Sequence, residues 1–150
     1  MAKKSESKPW MPAPDYGRSL DGLSINLLVR DIDRSVAFAR EVLGVELVHG
    51  DADFAVLRLA AKGAVAEWML HADHTYGDHP LLGLTGDGAL RGAGVELRLH
   101  GCDPDAAAAR AGRRGDPVLA PPADKPHGLR EAYLVDPDGY VWVPDVPLKG

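Results

Sequence analysis

The chain has 150 residues, 17 Lys and Arg against 22 Asp and Glu, and a formal charge of -5. That length suits one domain able to bury a core without staples, and an acidic balance with no long basic block argues against nucleic acid as a partner. A single cysteine, Cys102, excludes an internal disulfide or a thiolate zinc cluster and fits a reducing, cytoplasmic setting.

Residues 1–21 read as a polar, proline-bearing N-terminal arm without the apolar core of a signal peptide. Trp10, Met11 and Tyr16 could dock it on a surface; a disordered tail is the alternative. Next, Leu23, Ile25, Leu27 and Val29 alternate with Ser24, Asn26, Leu28 and Arg30, the period of a half-buried strand. Asp31 can cap a helix over 32–43, with Ile32, Val36, Ala39 and Leu43 on one face and Gly44 as its stop. Strands are predicted over about 45–50, 53–60 and 64–71. The glycine-rich stretch 74–94 reads as a long connection with room for a short helical turn. No run approaches the roughly 20 apolar residues of a membrane span, so a soluble chain is expected.

The second half repeats this order. Val95, Leu97 and Leu99 alternate with Glu96, Arg98 and His100; Asp103-Pro104 then opens an Ala-rich helix that stops near Gly115. Strands follow over about 117–120, 129–135 and 140–144. The turn Asp136-Pro137-Asp138-Gly139 has an earlier counterpart at Ala60-Ala61-Lys62-Gly63. These elements predict an α+β fold of two paired βαβββ modules, about 22–73 and 94–147, joined by a linker over about 74–93. They would form one domain, 22–147, with a curved, cleft-bearing mixed sheet and its helices outside. Alternation points Ile25, Leu27, Leu97 and Leu99 at the helices. It leaves Ser24, Asn26, Leu28, Glu96, Arg98 and His100 on the opposite, concave face.

Three stretches carry a family resemblance: Leu27-Leu28-Val29-Arg30-Asp31 running on to Val42-Leu43-Gly44, then Gly94-Val95-Glu96-Leu97-Arg98-Leu99, and Asp136-Pro137-Asp138-Gly139. Together they resemble the vicinal oxygen chelate superfamily, which includes glyoxalase I, bleomycin resistance proteins, fosfomycin resistance enzymes and extradiol dioxygenases. In its metal-dependent members two ligands come from each module, one seven residues before the helix cap and one four residues after the turn glycine. The resemblance therefore selects Ser24, Glu67, Glu96 and Val143. Two of these are carboxylates, and a register error of one or two residues would substitute Met69 or Val141. A Ni, Zn or Fe ion held by Glu67 and Glu96 alone would be bound weakly, so no cofactor is expected and a divalent metal is the alternative.

Other constellations carry two readings each. His71, Asp73, His74, Asp78 and His79 could form an adventitious zinc site or be solvated loop side chains, with His71 placed by alternation on the concave face. Glu67, Glu96 and Arg98 fit a salt-bridge network or a grip on a polar ligand. The stretch from Pro121 to Glu131 resembles a ligand-contacting loop of bleomycin resistance proteins, with His127 where those carry Trp. Gly86-Asp87-Gly88 precedes a strand instead of following one, which excludes a dinucleotide-binding reading. No order of Ser, His and Asp supports nucleophilic hydrolysis.

The leading expectation is metal-independent binding of a small organic molecule, with sequestration of a toxic metabolite or antibiotic as its use. Expected contacts are Ser24, Asn26, Leu28, Glu67, Met69 and His71 from the first module, and Glu96, Arg98, His100, His127 and Val143 from the second. The rival is a lyase, isomerase or dioxygenase in which Glu67 and Glu96 hold a metal or exchange protons. The resemblance further implies a homodimer, with the arm a candidate to lie over the neighbouring copy.

Overall fold

A computed structural model describes residues 10–75, 79–85 and 89–149. A short helix, α1 (Ala13–Ser19), leads into β1 (Asn26–Val29), α2 (Ile32–Phe38), β2 (Glu46–Gly50), β3 (Phe54–Ala61) and β4 (Ala64–Ala72). The unit then repeats as β5 (Glu96–His100), α3 (Pro104–Arg114), β6 (Val118–Asp124), β7 (Leu129–Val135) and β8 (Val141–Pro147). The result is two four-stranded mixed sheets ordered β1-β4-β3-β2 and β5-β8-β7-β6, in which β1 runs parallel to β4 and β5 parallel to β8. The predicted duplication is therefore present in the strand order itself. No helix among the described residues is long and apolar enough to cross a membrane.

Alternation assigns the faces as expected for most of both first strands. Leu27 and Leu99 are buried in a core shared with Trp68, Trp142, Phe38 and Leu134, and Leu97 packs against it. Ile25 departs from expectation: it is 39% exposed and Leu23 is 91% exposed. Gly22, at φ 69°, turns the chain in from the arm, and the β1 ladder starts only at Asn26 opposite Met69. Hence Leu23 and Ile25 stay exposed ahead of the ladder.

Helix α2 also changes character. It is α-helical to Phe38, widens into a π-helical turn over Ala39–Leu43, and stops at Gly44 with φ 72°. Its carbonyl end is held by the other module. Arg110 donates to the Val42 carbonyl from Nε (3.0 Å) and Nη2 (2.8 Å), Arg114 donates to the Ala37 carbonyl at 3.0 Å, and the Cys102 thiol donates to the Leu43 carbonyl. Two guanidinium groups at a helix C-terminus satisfy its unpaired carbonyls and oppose its negative dipole end.

The acidic turn does similar work in the reverse direction. Asp138 is fully buried; its carboxylate accepts from the Arg30 amide at 3.0 Å, from Arg30 Nη1 at 3.2 Å and from Ser35 Oγ at 3.1 Å. The Tyr140 hydroxyl donates to the Leu28 carbonyl at 2.8 Å. Both interactions bind the β7–β8 turn to the β1–α2 corner of the other module. The linker closes over the joint: Arg91 donates to the Leu28 carbonyl and to Asp73, while a Cβ on Gly92 would lie 2.6 Å from Tyr140 Cα. Elsewhere the linker forms single 3₁₀ turns at Asp73–Thr75 and Pro80–Gly83. The Gly86-Asp87-Gly88 segment lies outside the described residues.

Within the turn, Asp136 accepts from the amides of Asp138 (2.9 Å) and Tyr140 (3.0 Å) and from Trp142 Nε1 (3.0 Å). Burial nevertheless pushes its carboxyl up to about 6. The folded state therefore holds this proton more tightly than the unfolded chain does.

Two outcomes follow from the joint. Asp138→Ala removes the buried carboxylate that Arg30 and Ser35 share, and should lower the unfolding free energy by about 3–5 kcal/mol, read as a lower urea midpoint at unchanged slope. For Asp136 the neutral form is the one favoured in the fold, so its contribution is present below the unfolded aspartate range and lost as pH rises through about 6. The stability advantage of wild type over Asp136→Asn should shrink by an amount on the order of 3 kcal/mol between about pH 4 and about pH 7, measured by denaturation across that range.

Candidate functional site

The cleft face of the first sheet is built by every second residue of three strands. Register places Asn26 opposite Met69 and Leu28 opposite His71 on one side of β4, and Val56, Phe54 and Arg58 opposite Met69, His71 and Glu67 on the other. Across this face lies α1. A helix this short cannot persist alone in water, and its one buried residue is Tyr16. The Tyr16 hydroxyl donates to Glu67 Oε1 at 3.3 Å, while Arg58 donates to Glu67 Oε2 from Nη2 at 2.9 Å and from Nε at 3.1 Å. Burial and the adjacent Glu67 carboxylate push the Tyr16 phenol up to about 12. Of the two readings of the arm, docked or disordered, residues 10–20 follow the first: they lie over the first module of their own chain.

Between α1 and the sheet is a cavity of about 210 Å3. Trp10, Met11 and Tyr16 contribute one wall, and Phe54, Met69 and His71 the opposite one. The rings touch in sequence: Trp10 and Tyr16 centroids are 5.7 Å apart, Tyr16 and Phe54 5.7 Å, and Phe54 and His71 4.8 Å. Asn26 Oδ1 and His71 Nδ1 are hydrogen-bonded, which orients the imidazole. Polar groups enter from the β2–β3 bend, where Asp51 accepts from the amides of Asp53 (2.8 Å) and Phe54 (3.0 Å) and pairs with His49 Nε2 at 3.1 Å. These hydrogen bonds outweigh burial and hold the Asp51 carboxyl below the usual carboxylate range. Asp53 is 3% exposed and pairs with His74 Nε2 at 2.7 Å.

The second sheet's cleft face is filled by charge. Arg98 pairs with Glu131 and, at 3.1 Å, with Asp145, and reaches Glu96 at 3.4 Å. His100 Nδ1 lies 2.7 Å from Asp145, and His127 Nε2 lies 3.1 Å from Glu131. Glu131 and Asp145 are 2% and 1% exposed. Burial opposes ionisation of Glu131, but hydrogen bonds from Arg98 and His127 prevail and hold its carboxyl below the usual range. This is a closed ion network, the structural reading of Arg98.

The eleven expected contact residues accordingly separate. Met69 and His71 line the α1 cavity, Asn26 orients His71, and Leu28 is buried beside them. Glu67, Glu96 and Arg98 border a smaller crevice of about 160 Å3 at the module junction. Arg98 and His100 also border an open groove of about 380 Å3 beside the β3–β4 hairpin. His127 is tied to Glu131, Val143 is fully buried, and Ser24 is exposed ahead of β1.

A four-ligand divalent centre does not fit these residues. Val143 has no donor atom, Ser24 lies outside the strand, and the carboxylates of Glu67 and Glu96 pair with Arg58 and Arg98. Among the described residues no three His, Cys, Asp or Glu side chains are grouped to hold a metal ion. In the dense group noted above, Asp73 pairs with Arg91 and His74 with Asp53, while Asp78 lies outside the described residues.

Register also corrects the pairing of Glu67 with Val143. Lys62 and Gly63 alone join β3 to β4, whereas Asp136–Tyr140 separates the paired Val135 and Val141. Measured on the ladders, Val143 lies opposite Arg98 as Met69 lies opposite Asn26, so Met69 is its counterpart. Sequence reasoning missed Phe54, Arg58, Glu131, Tyr133 and Asp145, although alternation carried into β3, β7 and β8 would have placed all five on the cleft face.

The fold and this site define a duplicated βαβββ protein with a cleft on the sheet faces turned away from the helices. The glyoxalase/bleomycin resistance protein/dioxygenase superfamily model matches residues 23–143, and the chain belongs to that superfamily. Among solved structures it is similar to a hypothetical protein from S. aureus, with TM-score 0.63, 17% identity, and coverage of 87% of this chain and 98% of that one. It is also similar to a glyoxalase-related enzyme from Fulvimarina pelagi, with TM-score 0.60, 20% identity, and coverage of 85% and 88%. A glyoxalase/bleomycin resistance protein/dioxygenase from Nocardioides gives TM-score 0.53, 22% identity, and coverage of 91% and 93%. At these identities the likeness shows the shared fold. Comparison with curated protein sequences gives no match.

Because Tyr16 supplies the anchor of α1, Tyr16→Ala should release the arm. Limited trypsin digestion should then cleave after Arg18 roughly tenfold faster or more, as expected from losing one buried aromatic side chain. Unchanged cleavage would show that α1 is held by something else.

Proposed function

We propose that this chain binds a small organic molecule in the cavity between α1 and the first sheet, without a metal ion. The observation that carries the reading is the cavity itself: aromatic and thioether walls, with Asp51, Asp53, His71 and Thr75 as its polar members. That combination is what small-ligand sites generally share. Its size suits one flat ring system, since an apolar cavity of roughly 150 Å3 accepts benzene. The second sheet offers less, because its carboxylates and guanidinium already satisfy one another. On this reading the chain sequesters its ligand, a use for which capture of a toxic metabolite or antibiotic suffices.

Thermal melting against a library of one- and two-ring compounds, with and without EDTA, tests the proposal. A true ligand at a hundredfold excess over its Kd should stabilise the fold by about 2.7 kcal/mol, equally in both buffers. Phe54→Ala, which opens one wall, should abolish the shift. Stabilisation that vanishes with chelator would reject metal independence, and hits unaffected by Phe54→Ala would reject the location.

A further inference from the structure

We infer that the ligand of the α1 cavity is an organic cation, an ammonium or similar positive group carried on an apolar or aromatic body. This rests on the binding reading above and adds the ligand's charge. The motive is an imbalance of counter-charge across the cleft. Glu67 pairs with the guanidinium of Arg58, and Glu96, Glu131 and Asp145 share the guanidinium of Arg98. Asp51 and Asp53 share no guanidinium or ammonium: among the described residues their side chains meet imidazoles and backbone amides, and no Lys or Arg among them lines the cavity.

A carboxylate as buried as Asp53 is costly, and an opposite charge brought close recovers desolvation beyond what its hydrogen bonds supply. Here the cavity gives such a charge a place to sit. Trp10, Tyr16 and Phe54 surround it with rings whose negative faces attract cations, and Met11 and Met69 add polarizable sulfur. A neutral ligand would gain burial alone. An anionic one would be repelled by both aspartates.

Phenyltrimethylammonium and its uncharged isostere tert-butylbenzene test the charge with shape held constant. Titrated into the full chain and followed by ligand-observed NMR, the cation should bind at least tenfold more tightly. Asp53→Asn keeps an oxygen for His74, and Asp51→Asn keeps Oδ1 for the two backbone amides and turns an amide nitrogen to His49; each removes the charge and should cut the preference to about threefold or less, with near-UV circular dichroism unchanged. Equal or tighter binding of the neutral compound overturns the inference and leaves the binding reading standing. A cation preference that survives in both variants also overturns it. If neither compound binds at millimolar concentration the inference falls, and the library screen decides the binding reading separately.

Discussion

The joint between the modules depends on one buried carboxylate. Asp138 sits at the tip of the β7–β8 turn and is engaged by an amide, a guanidinium and a hydroxyl of the β1–α2 corner. Apolar packing between the modules, with Trp68 and Trp142 5.2 Å apart, supplies most of the driving force but is non-directional. A buried ion pair contributes little net stability, yet it penalises every arrangement that leaves it unpaired. Asp138 therefore selects one placement of the modules among those the apolar core would tolerate. Arg110 and Arg114, reaching back to the carbonyls at the end of α2, impose a second restraint.

Given that placement, the two cleft faces have diverged by different solutions to the same problem. Each sheet has one face on helices and core, and another that must be solvated, covered or filled. The first is covered: α1 lies across it and leaves an aromatic-walled cavity. The second is filled by the network of Arg98, Glu131, Asp145, His100 and His127. Filling of this kind commits the polar groups of a face to one another, whereas a helix laid over rings leaves an aromatic-walled space.

The fold was legible because its signals are local. Asp31 and Asp103 do cap helices, through bonds to the amides of Arg34 and of Asp105 and Ala106, and Gly44 and Gly115 do end them in left-handed conformations. The site was only half legible. Alternation placed His71 and Met69 correctly on the cleft face, but Tyr16 meets Glu67 across 51 residues and Arg98 meets Asp145 across 47. Contacts of that separation are set by which strands become neighbours, and periodicity within a strand does not report this. The turn glycines misled for a related reason. Gly63 and Gly139 look alike in sequence, but one lies in a two-residue hairpin and the other in a longer turn that must also reach the opposite module.

That longer turn bears on the chemistry of the cleft as well. By setting β8 against β5 so that Val143 lies beside Arg98, it puts a buried, donor-free side chain next to a guanidinium committed to two carboxylates. A cation introduced there would have to compete with Arg98 for Glu131 and Asp145, at a distance where like charges repel strongly in a low-dielectric surrounding. In the first module the ladder equivalent is Met69, and its neighbour Asn26 is neutral. The half of the molecule without a permanent positive charge inside its cavity is thus the half lined by the aspartates Asp51 and Asp53. Divergence of the two repeats has left each cleft face one guanidinium committed to carboxylates, Arg58 to Glu67 and Arg98 to Glu131 and Asp145, while Asp51 and Asp53 at the edge of the first meet imidazoles and backbone amides.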